Sequence, residues 1–152
     1  MHFDDKAGIT GILTISKTTG EKLVCQNIVV QQSIFNFLNG IANQTTTSPI
    51  TSLQIGSGGT IDSAGLYPTV PSYTQTSLNS YLGTLTTITS NLSAVNNFIT
   101  FTASAGQSQF NGYNISEAAL FTQSGQMFNY VTFPAINKSS LFGLSFSWNI
   151  GF

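Results

Sequence analysis

The most constraining feature of this sequence is the alternation of apolar and small polar residues over its last thirteen positions, 140–152. One set of alternate positions is apolar and holds Phe142, Leu144, Phe146, Trp148, Ile150 and Phe152. Gly, Ser and Asn fill the positions between them. A period of two residues is typical of a β-strand with one buried face. We therefore expect the chain to end on a strand that is fixed in a sheet.

Similar strand patterns run through the rest of the chain. Ile9 to Lys17 and Lys22 to Val30 flank a polar turn and predict a β-hairpin. Further short strands are expected at 50–55, 84–92, 97–105, 113–121 and 127–133. The pair Asn111-Gly112 predicts a tight turn, and residues 134–138 are expected to link to the last strand. The second half of the chain is thus predicted to be an antiparallel meander.

Helical spacing is confined to two short segments. Ile34, Phe35, Leu38 and Ile41 follow a helical period, with Ser33 as the expected N-cap and an end by Asn43. A helical turn is also expected within residues 74–85, with Leu78, Tyr81 and Leu82 facing inward.

These patterns predict an all-β fold, an antiparallel β-sandwich with one or two short helices. The length of 152 residues suits one domain, which we expect to span residues 9–152. Residues 1–8 are expected to form a flexible N-terminal arm.

The composition limits the functions that this chain can have. Only 6% of its residues are charged, against about a quarter in an average soluble protein. Ser, Thr, Asn and Gln number 62 and supply the polar surface instead. Such a surface can pack against neighbours without desolvating many ions, which favours a subunit of a durable assembly. A secreted β-domain with a neutral surface is the plainer alternative.

The charge pattern argues against nucleic-acid and membrane partners. The only fixed cations are four scattered lysines, Lys6, Lys17, Lys22 and Lys138, and they do not form the basic patch that phosphates or anionic lipids require. No apolar run reaches the length of a membrane span. The first residues lack the pattern of a signal peptide, so we expect synthesis in the cytoplasm.

The residues that could perform chemistry are few. Cys25 is the only cysteine and lies in a strand-like run, so a buried, inert thiol is expected. His2 is the only imidazole. Metal binding is not expected, because one His and one Cys cannot build a transition-metal site, and we predict no cofactor. An oxygen-ligand calcium site at Asp62 is left open.

A glycine run and the acidic residues are the remaining motifs that could mark a functional site. The run Gly56-Ser57-Gly58-Gly59 follows a strand, but it lacks the Lys-Ser/Thr of a phosphate-binding loop, and a tight turn is preferred. Among the acids, only Asp62 and Glu117 could form a catalytic pair, and we expect no catalytic residues. Glu117 lies inside a predicted strand, where it should pair or cap backbone donors, and Lys138 is the candidate partner.

The predicted elements and several short motifs form an ordered pattern. It covers nearly the whole chain after Ile9 and is clearest towards the end, in 115–121 (Ile-Ser-Glu-Ala-Ala-Leu-Phe), 125–127 (Gly-Gln-Met), 133–138 (Phe-Pro-Ala-Ile-Asn-Lys) and 146–152 (Phe-Ser-Trp-Asn-Ile-Gly-Phe). Its earlier part includes 53–58 (Leu-Gln-Ile-Gly-Ser-Gly) and 76–78 (Thr-Ser-Leu). This order of elements resembles small structural proteins of tailed bacteriophages. The chain departs from the pattern at Gln75, where an acid is usual, and at Gly83-Thr84, where a basic residue is usual.

The resemblance implies a non-enzymatic component of the virion, in the tail, a fibre attachment or the capsid decoration. Its partners would be other virion proteins and copies of itself. Two alternatives remain open: a carbohydrate-binding module that uses exposed tyrosines, and a subunit of an extracellular surface filament. A glycan ligand is therefore left open, without further support.

Overall fold

A computed structural model of the chain describes residues 9–43 and 48–151. The predicted N-terminal arm, residues 1–8, and the predicted inward side chain of Phe152 lie outside the described residues. The described part contains nine strands and one helix. In chain order they are β1 (Thr10–Lys17), β2 (Lys22–Val29), α1 (Gln31–Asn43), β3 (Ile50–Gly56), β4 (Tyr81–Leu85), β5 (Thr89–Ser93), β6 (Phe98–Ala105), β7 (Asn114–Thr122), β8 (Met127–Asn137) and β9 (Leu144–Gly151).

The strands form one curled antiparallel sheet in the order β4-β3-β7-β8-β2-β1-β9-β6-β5. The predicted hairpin of β1 and β2 is confirmed, and β1 also pairs with β9 over its whole length. The all-β prediction is confirmed in the described residues. The sandwich is not confirmed, since hydrogen-bonded pairs connect all nine strands into one sheet.

The period-two pattern of the last strand has the predicted effect. Leu144, Phe146, Trp148 and Ile150 are buried on β9, and the residues between them are more exposed. Leu13 lies opposite Trp148 on the neighbouring strand, and both are fully buried. The main apolar core therefore forms on one face of this sheet, as the alternation indicates.

The predicted meander of the second half is wrong. β7 and β8 form a hairpin, but β9 pairs with β1 and β6 in the other half of the sheet. The turn at Asn111-Gly112 is present, with Gly112 at a φ of +85°, yet β6 and β7 on either side of it are not neighbours. The hydrogen-bonding partner of a late strand is thus an early strand, which local turn signals cannot reveal.

Three smaller predictions are corrected. Residues 74–85 contain no helical turn, and β4 begins at Tyr81. Of the three predicted inward residues, Leu78 is buried and Leu82 packs partly buried against the core, whereas the side chain of Tyr81 is exposed. The expected strand 84–92 is divided between β4 and β5. The expected link 134–138 is mostly strand, because β8 continues to Asn137. Pro134 is tolerated there because the register of β7 and β8 shifts opposite it, between Ile115 and Glu117.

Candidate interaction surface

The structure places Glu117 in a fully buried position on β7. Its Oε1 accepts hydrogen bonds from the backbone N–H groups of Gly58 (2.9 Å) and Ser80 (2.7 Å). Its Oε2 accepts from the backbone N–H of Asn79 (2.9 Å) and from the hydroxyl of Tyr130 (2.7 Å). Four neutral donors therefore satisfy this carboxylate in the interior.

The predicted pairing of Glu117 with Lys138 is wrong. Lys138 is also fully buried, but its Nζ donates to the carbonyl oxygens of Gln107 (3.3 Å) and Ser139 (2.8 Å) and to Oδ1 of Asn111 (2.9 Å). Burial lowers the pKa of Lys138. Each charged group is thus held by its own set of hydrogen bonds.

The glycine run after β3 closes over Glu117. Gly58 donates to the carboxylate, and the N–H of Gly59 donates to the hydroxyl of Ser116 at 2.9 Å. A Cβ atom on Gly59 would lie 1.9 Å from the carbonyl oxygen of Ser116. The amides that a phosphate would need are therefore bonded within the chain. The close backbone packing expected at this run is confirmed, but residues 57–59 form a bend and irregular backbone and not a tight turn.

Tyr130 is buried beside Glu117 and belongs to the same network. Its hydroxyl donates to Glu117 and accepts a hydrogen bond of 3.2 Å from Nδ2 of Asn79. Desolvation, reinforced by the hydrogen bond to Glu117 and by its negative charge, raises the pKa of Tyr130. The arrangement holds the phenol protonated as a donor, which suits a structural role.

Asp62 shapes the loop between β3 and β4. Its carboxylate accepts N–H bonds from Leu66 (3.1 Å) and Tyr67 (2.8 Å). These N–H groups, that of Tyr67 first, lower the pKa of Asp62. The hydrogen-bond donors to Asp62 differ from those to Glu117. The two acids considered as a catalytic pair therefore share no hydrogen-bond partner among the described residues.

Cys25 lies on β2, where it is half-buried and packs against the main apolar core, so the expected burial of the thiol is seen in part. Burial raises its pKa, which disfavours the thiolate at neutral pH. Among residues 9–43 and 48–151, no three side chains of His, Cys, Asp or Glu come together where they could hold a metal ion. His2, Asp4, Asp5 and Lys6 lie outside these ranges.

The tyrosines divide into one core residue and four exposed ones. Tyr130 is buried, whereas the side chains of the other four are at least half exposed: Tyr67, Tyr73, Tyr81 and Tyr113. Trp148 is fully buried, and its Nε1 donates to Oδ1 of Asn27 at 2.8 Å. The prediction that Trp148 belongs to the core and not to a surface platform is confirmed.

Helix α1 is attached to the sheet by its polar side. Ser33 is its only buried residue among the described side chains, and its hydroxyl donates to the carbonyl of Met127 at 3.0 Å. The amide of Asn36 donates to the side chain of Gln126 at 2.6 Å. The helix begins at Gln31, so Ser33 lies within its first turn and not at the predicted N-cap.

The apolar side of α1 faces the solvent. The side chains of Phe35, Leu38 and Ile41 are 61%, 57% and 66% exposed. In a globular monomer the apolar side of an amphipathic helix normally faces the core, and here that orientation is reversed. The helix contains no charged residue. The sequence indicates this surface only through an amphipathic stretch that contains no charged residue. It does not show which side of the helix the sheet covers.

A groove of about 640 Å³ lies between α1 and the inner face of the sheet. Its floor is apolar and comes from several strands and the segments before them: Ile9, Ile50, Leu92, Ile99, Phe101, Phe128 and Ile150. Ser33, Asn36 and Phe37 of α1 form one wall. The lining residues that the structure describes are all uncharged. We define α1 and this groove together as the helix surface.

Comparison with known proteins finds no match among protein families, curated proteins or solved structures. Within the described residues, no helix has the length and apolar character needed to cross a membrane.

Proposed function

We propose that this chain is a non-enzymatic structural subunit of a tailed-phage virion, in the capsid decoration or the tail. It would be made in the host cytoplasm and act through contacts with other virion proteins and with copies of itself. The resemblance in the order of its elements gives the class of particle. The helix surface supports the mode of action.

The orientation of α1 is the observation that carries this proposal. Phe35, Leu38 and Ile41 form a contiguous exposed apolar stripe on a helix without charges. A stripe of this kind next to an apolar groove is typical of a surface that another protein covers. Interface cores are depleted in charged residues and enriched in aromatic ones, and α1 has both properties.

The edges of the sheet support the same mode of action. β4 and β5 are the two edge strands, and neither contains a charged residue or a proline. Soluble monomers commonly protect edge strands with such residues, because unpaired backbone groups can pair with another chain. In a particle these edges would lie against neighbouring subunits.

The two-layered sandwich remains part of the proposal. Core residues from both halves of the strand order, such as Leu53 and Ile55 on β3 and Phe101 on β6, belong to one apolar cluster. Contact between the two halves of a curled sheet through their inner faces is the packing that a sandwich requires.

Carbohydrate binding is the second candidate, favoured by the exposed rings of Tyr67, Tyr73, Tyr81 and Tyr113. Sugars stack on exposed aromatic rings that have hydrogen-bonding groups nearby. A glycan array probed with the wild-type chain and with single Tyr→Ala variants tests this function. Binding that one variant abolishes while its melting temperature is unchanged would favour it.

Mass spectrometry across a density gradient of lysate from the native source tests the virion proposal. Peptides of this chain are expected in the fractions that hold DNA-filled particles, and their stoichiometry would separate a capsid position from a tail position. Peptides that stay in the soluble fractions would contradict the proposal. Peptides that follow filaments would favour the surface-filament alternative.

A further inference from the structure

We infer that the groove beside α1 receives the α1 helix of a second copy of this chain, so that two copies form a reciprocal dimer. This inference rests on the proposed function, because it names the partner that covers the helix surface. The exposed stripe Phe35, Leu38 and Ile41 supplies the inserted group. The accessible part of the groove, at the exposed Leu92 and the partly buried Ile99, receives it; Phe101 and Ile150 lie beneath and are already buried.

The hydrogen bonds of α1 prevent the helix from filling its own groove. Ser33 donates to the carbonyl of Met127, and Asn36 donates to Gln126. These two bonds fix the rotation of the helix about its axis, with the polar side towards β8 and the turn that precedes it. The apolar stripe could enter the groove of the same chain only if both bonds broke. A stripe from another copy meets no such obstacle.

The placement of the two apolar features fits twofold symmetry. The groove has Ser33, Asn36 and Phe37 of α1 as one wall, so the stripe and the groove are neighbours on one molecule. In a twofold dimer each surface meets its own copy. A single twofold rotation would therefore place each helix over the groove of the other chain. The dimer would contain this contact twice, and each copy of the contact would bury one stripe and one groove.

The lack of charged side chains on α1 and along the described groove lining, together with the exposed apolar side chains, favours a partner surface that is also apolar and uncharged. Neither α1 nor the part of the groove lining that belongs to the described residues contains a charged residue, so a contact between these residues desolvates no ion. The exposed large apolar side chains of the helix surface are each more than half exposed: Phe35, Leu38, Ile41 and Leu92. A standard interface buries about 800 Å² per partner, so these side chains and the Ser, Asn and Gln side chains around the groove would all have to contribute to the contact.

Sedimentation velocity of the full chain over a concentration series tests the dimer. The wild-type chain is expected to dimerise, and Leu38→Asp to weaken dimerisation by about tenfold or more, because the contact would bury an unpaired carboxylate. Leu141→Asp is the matched control: Leu141 is 80% exposed in the loop before β9, at the opposite end of that strand from Ile150. The control should dimerise like the wild-type chain.

A variant of the groove tests the other half of the contact. Ser124 is exposed on the wall of the groove, and Ser124→Trp should fill the groove and weaken dimerisation without adding a charge. Ser140→Trp, at an exposed site in the loop before β9, is the control. Unchanged melting temperatures would show that each variant folds. If Ser124→Trp dimerises like the wild-type chain, the groove is not the receptor.

A disulfide cross-link identifies the occupant of the groove. In a Cys25→Ser background, a Leu38→Cys chain mixed with a Leu92→Cys chain should give a cross-linked dimer under oxidation. A wild-type chain that stays monomeric up to about 1 mM, or a Leu38→Cys/Leu92→Cys chain that forms its bond within one molecule, would overturn the inference. Neither result would remove the chain from DNA-filled particles, so the test of the proposed function stays separate.

Discussion

The hydroxyl of Tyr130 donates a 2.7 Å hydrogen bond to Oε2 of Glu117, and both residues are almost completely buried. The bond crosses between the paired strands β7 and β8. Backbone N–H groups of Gly58, Asn79 and Ser80 occupy the remaining acceptor positions of the same carboxylate. The network therefore joins both ends of the segment between β3 and β4 to the paired strands β7 and β8.

Glu117→Gln should destabilise the fold by about 2–4 kcal/mol, because an amide NH₂ would face N–H donors that need an acceptor. Tyr130→Phe removes one donor of the four and should cost about 1–2 kcal/mol. Chemical denaturation measures both values. Glu21→Gln is the control: Glu21 is exposed in an ion pair with Lys17, and the change should cost less than about 1 kcal/mol. Equal costs for Glu117→Gln and Glu21→Gln would contradict this role of the network.

Gly11→Ala should disturb the environment of the only tryptophan. A Cβ atom on Gly11 would lie 1.9 Å from Oδ1 of Asn27, which accepts the hydrogen bond from Nε1 of Trp148. Asn27 would have to move, and the indole N–H would lose its partner, at a cost of about 1–3 kcal/mol. Tryptophan fluorescence and denaturation report the change. Gly106→Ala is the control, because its nearest neighbour would be 3.7 Å away; similar fluorescence and stability of the two variants would refute the prediction.

Trp148→Ala should cost about 3–5 kcal/mol, as expected for the loss of a buried large aromatic side chain. Trp148 is fully buried and lies opposite Leu13 on β1 and Phe101 on β6. Thermal unfolding measures the effect. A melting temperature equal to that of the wild-type chain would show that β9 is not a central part of the core.

The loop around Asp62 should respond to acid. Because N–H groups of Tyr67 and Leu66 lower the pKa of Asp62 in the folded chain, its charged form stabilises the loop at pH values above its unfolded pKa of about 3.9. This stabilisation is lost as the pH falls through the lower, folded pKa. An NMR titration of the Asp62 carboxylate should therefore have its midpoint below about 3.9. A midpoint at or above that value would contradict the loop geometry.

Local patterns predicted the strands well where the period of two residues was regular. The hairpin of β1 and β2, the strand β6 and the terminal strand β9 all lie where alternation placed them. The segment 74–85 was misassigned because Thr, Ser and Asn are common in turns as well as at helix ends. Its real constraint is the carboxylate of Glu117, which binds the backbone of Asn79 and Ser80 and is distant in sequence.

The helix surface could be predicted only in part. The spacing of Ile34, Phe35, Leu38 and Ile41 was sufficient to predict a helix, and the segment is helical from Gln31 to Asn43. An amphipathic pattern shows that a helix has two sides, but the contacts of the folded chain determine which side is covered. Those contacts come from Met127 and Gln126, about ninety residues later in the sequence.

If this chain works as a virion subunit through its helix surface, its incorporation into particles must depend on that surface. The most direct measurement is the amount of Leu38→Asp and Leu141→Asp chains incorporated into DNA-filled particles, relative to the wild-type chain, in the native source. We expect Leu141→Asp to be incorporated like the wild-type chain and Leu38→Asp to be depleted. Equal incorporation of both variants, or the absence of the wild-type chain from the particles, would contradict the account.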